Sequence, residues 1–185
     1  SKNTSYTYPK PSVKDVKLIV TSSKGCIDSV FQQLTVADKP RLQLPFKDTL
    51  ICSIDTLAIP VLNTGSFSWQ PNRNILFANS SAPLVFPKDT TRYIVTLNDN
   101  GCVNSDTVTV NVLSFIKVQL GNDTLICQTD TLRLRPVSEA LSYRWSSSSG
   151  VTVNNVKYPL VQPLVNTQYY VTANLGKCQD RDTVL

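Results

Sequence analysis

The chain has 185 residues, 18 Lys and Arg against 13 Asp and Glu, a formal net charge of +5 and no histidine. Lacking histidine, it has neither the usual general base nor the commonest metal ligand, and the Ser/His/Asp and Cys/His nucleophile arrangements are excluded. Its basic residues are scattered rather than gathered into the stripe a phosphate backbone needs, and no stretch has the length and apolarity of a membrane span.

Composition favours strands and turns: Glu139 is the only glutamate, methionine is absent, and Thr, Val, Ser and Asn are abundant. Along residues 1–37, Val16, Leu18 and Val20 alternate with other positions, Ser22–Gly25 makes a turn, and Val30 to Val36 supplies a partner strand. This reads as the closing part of a domain, and both ends of the chain are expected to fall inside domains. The second unit, 38–114, predicts strands near 41–46, 55–61, 66–70, 83–86, 91–98 and 105–113, separated by Pro, Asn, Asp, Gly and Ser. Within it Thr107–Val112 alternates with period two, so Val108, Val110 and Val112 share a buried face. Asn98-Asp-Asn-Gly101 is the strongest hairpin turn, since its residues tolerate positive φ. The third unit, 115–185, predicts strands near 131–136, 142–146, 159–162 and 167–174 and a last strand cut off at Leu185.

The two later units are copies. Asp48-Thr-Leu-Ile-Cys52 with Asp55-Thr-Leu57 returns 75 positions on as Asp123-Thr-Leu-Ile-Cys127 with Asp130-Thr-Leu132. Trp69 and Trp145, Thr91-Arg-Tyr93 and Thr167-Gln-Tyr169, Cys102 and Cys178 then recur 76 positions apart. Short strands with one buried face each predict two-sheet sandwiches. The junctions contain no Gly/Ser-rich or charged linker, which predicts a semi-rigid rod.

A unit of about 75 residues is marginal on its core alone and calls for a staple. Repeated cysteine positions make pairing within each unit the economical reading: Cys52–Cys102 and Cys127–Cys178, with Cys26 left for a partner upstream of Ser1. Such bonds imply an oxidising compartment.

Several motifs together carry a family resemblance. Pro11 to Cys26 followed by Asp28-Ser-Val30 resembles the closing half of a PKD domain. The Thr-Leu-Ile-Cys opening, Phe67-Ser-Trp69 and Tyr143-Arg-Trp145, the Thr-x-Tyr-x-Val-Thr strands and the Cys-x-x-x-Asp-Thr-Val endings resemble the Ig-like and PKD-like repeats of large secreted proteins of the Bacteroidota. The resemblance implies gliding-motility adhesins or other type 9 secretion cargo, displayed on the outer face of a Gram-negative outer membrane. Expected partners are neighbouring repeats of the same chain, with surface polysaccharide or the secretion and gliding machinery beyond them. The same modules also serve as spacers or carbohydrate-binding regions of secreted depolymerases, which is the alternative reading.

By the same resemblance, the Asp-(Ser/Thr) tripeptides mark candidate O-glycan acceptors: Ser29, Thr49, Thr56, Thr90, Thr107, Thr124, Thr131 and Thr183. Against that stands a local reading, in which Asp ends a turn and Thr begins a strand. Asp180 with Asp182, and Asp99 near Asn98 and Asn100, offer hard oxygen ligands for calcium but read as turn formers instead. Trp69, Trp145, Tyr93 and Tyr169 are expected in the cores rather than as sugar-stacking platforms. No cofactor, metal or catalytic residue is expected. The sequence therefore predicts an all-β chain of tandem Ig-like or PKD-like sandwiches, each with one internal disulfide, serving as a structural and adhesive segment rather than an enzyme.

Overall fold

The computed structural model describes residues 4–150 and 152–185, which form fifteen β-strands and no helix. Strands β1 (Ser12–Thr21) and β2 (Ile27–Val36) make an antiparallel hairpin in register from Ser12↔Val36 to Thr21↔Ile27. Gly25, at φ 80°, closes its turn by donating its N–H to the Ser22 carbonyl at 3.0 Å. The alternation of Val16, Leu18 and Val20 does form a strand, but its side chains stay exposed, because no second sheet covers this hairpin among the described residues.

The second unit contains β3 (Asp48–Cys52), β4 (Leu57–Ala58), β5 (Ser66–Gln70), β6 (Ile75–Leu76), β7 (Leu84–Val85), β8 (Thr91–Asp99) and β9 (Cys102–Leu113). One sheet runs β3-β9-β8-β5 and the other β4-β7-β6. Between them Ile59, Val85, Tyr93, Val95, Leu97, Val108 and Val110 are buried, together with Trp69. The alternation read in Thr107–Val112 is therefore the inner face of β9, with Val112 packed at its margin.

The third unit contains β10 (Leu132–Arg133), β11 (Ser142–Ser147), β12 (Thr152–Asn154), β13 (Leu160–Val161), β14 (Tyr169–Leu175) and β15 (Cys178–Val184). Its sheets run β12-β11-β14-β15 and β10-β13. Its core holds Ile116, Val118, Leu134, Tyr143, Trp145, Val171, Ala173, Leu175 and Val184.

Two strands read from the sequence are missing or shortened. Residues 41–46 are not a strand, although Leu44 is buried. In the corresponding stretch of the third unit Gln119 makes a single backbone bridge to Val137, and the amides on either side go to side chains. Asp180 accepts from Val118 N–H at 2.8 Å and Asp182 from Leu120 N–H at 2.7 Å, so the segment is strapped to β15 without a ladder. The strand expected over 55–61 shrinks to Leu57–Ala58, because beyond it Ile59 and Val61 bond to Pro83 and Ser81 where a proline interrupts the partner.

Candidate functional site: the joint between the two sandwiches

Strand β3 pairs parallel with the far end of β9, from Asp48↔Thr109 to Cys52↔Leu113. Cys52 therefore lies beside the last residue of β9, while Cys102 is its first. Eleven residue steps, from Cys102 to Leu113, separate the two positions, about 35 Å at the rise of a strand, against the roughly 7 Å that a disulfide spans between Cα atoms. Pairing within the unit is thus impossible in this topology. The same holds in the third unit, where Cys178 opens β15 and the Asp123–Cys127 segment meets the other end, Thr124 N–H bonding to Leu185 at 3.0 Å.

The structure instead joins Cys52 to Cys178, with Cα atoms 5.6 Å apart, and leaves Cys26, Cys102 and Cys127 as free thiols. This corrects both expected pairings, Cys52–Cys102 and Cys127–Cys178. Each unit carries its two cysteines at opposite poles, and the exit pole of one unit meets the entry pole of the next.

Around the bond the two units share one apolar cluster. Cys52 is fully buried, and Leu50 and Leu113 pack with it against the core of the third unit. Beyond it the Cys52–Asp55 turn grips the tip of the β14–β15 hairpin. Asp55 Oδ1 accepts from Lys177 N–H at 2.9 Å, and Oδ2 accepts from Cys52 N–H at 3.1 Å. Gly176, at φ 53°, sits so close that an added Cβ would lie 1.8 Å from Asp55 Oδ2. Any side chain there forces the Asp55 carboxylate off its amide partners, and the left-handed backbone favours glycine. Neither Asp55 nor Gly176 was singled out by the sequence reading as a joint residue. The available signal was the Cys-x-x-Asp spacing, present at both Cys52 and Cys127.

Trp69 and Trp145 are 1% and 2% exposed, so neither presents a face to a sugar ring. Their indole N–H groups donate to Ser80 O at 3.1 Å and Val156 O at 2.8 Å, the same contact in each copy. Tyr93 is fully buried, and burial raises its hydroxyl pKa against an opposing effect of Arg73. Tyr169 is only half-buried, because it lines a cavity of about 620 Å³ with Asp123–Gln128, Asn166 and Val184. In the second unit the end of β9 is paired with β3 and anchored by Val112 N–H to Thr90 Oγ1 at 3.2 Å.

Asp180 and Asp182, weighed for calcium, have carboxylate oxygens occupied by backbone amides, and the described residues contain no group of three or more His, Cys, Asp or Glu suited to a metal. In the Asp-(Ser/Thr) tripeptides at Asp28, Asp106 and Asp182, the carboxylate accepts the N–H of the next residue at 2.7–2.8 Å, a local role for the motif. Ser29, Thr56, Thr90, Thr124, Thr131 and Thr183 are exposed, while Thr49 and Thr107 are half-buried.

No family model and no curated protein matches the chain. Among solved structures it is similar to titin domains A168–A170, at 16% identity over 95% of this chain and 73% of that one, with TM-score 0.43. Extracellular domains 3–5 of Drosophila OTK match at 9% identity over 92% of this chain and 69% of that one, with TM-score 0.41. Dpr2 Ig1-Ig2, in complex with DIP-Theta Ig1-Ig3, matches at 15% identity over 80% of this chain and 66% of that one, with TM-score 0.41. Ig domains in tandem are named in the last of these.

Proposed function

We propose that this chain is a non-catalytic, extracellular structural and adhesive segment of a large secreted cell-surface protein, whose sandwiches hold a more distal function away from the cell. The observation that carries this reading is the covalent joint. A disulfide placed between domains persists in an oxidising compartment and fixes the geometry of a junction rather than the core of one domain. With Leu50 and Leu113 half-buried beside it and Asp55 bonded across it, the joint resists both bending and separation.

In this reading the parent protein is an adhesin of the gliding-motility type, exported by type 9 secretion, as the resemblance of its repeats implies. The exposed hydroxyls of Ser29, Thr56, Thr90, Thr124, Thr131 and Thr183 are its O-glycan acceptors. An antibody raised against residues 38–185 is expected to label intact cells of the source organism. Labelling that appears only after lysis overturns the proposal. The native protein is also expected to exceed the mass of its bare sequence.

A further inference from the structure

The poles of the two units are equivalent, yet only one joint is present in the structure. At the exit pole of the second unit the turn closes by Asp55 N–H to Cys52 O at 2.9 Å; at the exit pole of the third, Asp130 N–H bonds to Cys127 O at 3.1 Å. Cys52 is buried in a disulfide and Leu50 packs into the neighbouring core, whereas Cys127 is an exposed thiol and Leu125 is 96% exposed. Cys127 has no partner it can reach in its own unit, since Cys178 is already bonded and lies at the opposite pole. The third unit thus repeats the sequence of a joint, in a turn closed by the same backbone hydrogen bond though with Thr129 at φ 77°, without the surface that covers it in the second.

We propose that Cys127 and Asp130 form one half of an interdomain latch, whose other half is the cysteine-bearing β-hairpin tip of a further copy of this unit on the C-terminal side. The rule is that the first cysteine of each unit bonds the second cysteine of the unit that follows it. Two thiols form one S–S bond and lose two protons and two electrons. A disulfide oxidoreductase takes up the electrons by thiol–disulfide exchange, its own disulfide being reduced to a dithiol. By the same translation Cys102, at the entry pole of the second unit, takes the first cysteine of the unit before it. That joint differs in detail. Asn100 stands at the turn position of Gly176, so the close aspartate contact made at Gly176 does not fit there unchanged.

The test is disulfide mapping of the full-length chain, with native blocking by N-ethylmaleimide before digestion. The expected result is a Cys127 peptide linked to the cysteine that opens the last strand of the next copy, beside a Cys52–Cys178 peptide. In the full-length Cys127→Ser variant that partner cysteine is expected to become labelled, while Cys52–Cys178 is retained. If Cys52–Cys178 is found while Cys127 carries the label or bonds within its own unit, the link rule is overturned and the joint described above stands. If Cys52–Cys178 is itself absent, both fall.

Discussion

Reduction of the Cys52–Cys178 bond changes how much chain the molecule can release under load. The bond bridges 126 positions of sequence with Cα atoms 5.6 Å apart, so residues between the two cysteines are shielded from a force applied at the ends. An extended chain spans at most about 3.5 Å per residue, so reduction is expected to add about 440 Å of contour length. Bonds within each unit would hide about 180 Å apiece and leave the junction, residues 103–126, extensible even when oxidised. Optical-tweezer pulling from the two termini, with and without a phosphine reductant, separates these cases. Only terminal release before reduction, then two unfolding events with a combined gain of about 440 Å, is the expected record. Equal contour lengths in the two conditions, or a gain split into separate steps near 180 Å, would refute the interdomain connectivity.

Three further outcomes follow from individual contacts. Gly176→Ala places a methyl 1.8 Å from Asp55 Oδ2 at a left-handed φ and is expected to destabilise the joint by about 1–3 kcal/mol in thermal melts, with Gly25→Ala, whose Cβ meets nothing within 4 Å, costing less. Asp182→Ala leaves the half-buried Leu120 N–H without its acceptor and is expected to cost about 1–3 kcal/mol in urea unfolding followed by Trp145 fluorescence, with Asp182→Asn recovering part of the loss. Burial acts to raise the Asp106 pKa, but its hydrogen bonds to Lys47 and to Thr107 N–H outweigh that and lower it below the ordinary carboxylate value. The stability it contributes is therefore present above the unfolded pKa and lost as pH falls through the lower folded value. Lys47→Met is expected to move the acid-unfolding midpoint upward, by an amount that shrinks in high salt because Lys47 is exposed.

What the sequence made legible was whatever repeats over several residues on one side. The period-two run in Thr107–Val112 is β9, Asn98–Gly101 is its turn, and the recurring Trp69 and Trp145 share a buried place and a carbonyl partner. The two-residue strands β4, β6, β7, β10 and β13 are too short to display a period, and β6 and β12 carry no signal in the sequence. The cysteine pairing was hidden for a different reason. Equivalence under the repeat shows which cysteines are alike, but their distance depends on which end of β9 receives β3, and a parallel partner five residues long leaves no local mark of its register. Asp55 was legible as a strand-starting turn residue, and its second role needed a hairpin 122 residues away.

Where the covalent bond sits decides what the fold must supply unaided. A staple inside each sandwich would relieve its small core and leave the junction to weak contacts. Here the core of the second sandwich contains no disulfide, and its cohesion rests on the burial of Trp69, Tyr93, Val95, Leu97, Val108 and Val110. The junction holds the bond instead, and the apolar residues flanking it, Leu50 and Leu113, extend the third core across the boundary. Each unit then gains from its neighbour in two ways: extra apolar surface is buried, and the chain it can release on unfolding is restricted by a bond anchored in the other unit. A small sandwich that is marginal alone becomes stable as a member of a series, so the joint, rather than the single domain, is the unit on which this chain's stability and stiffness both depend.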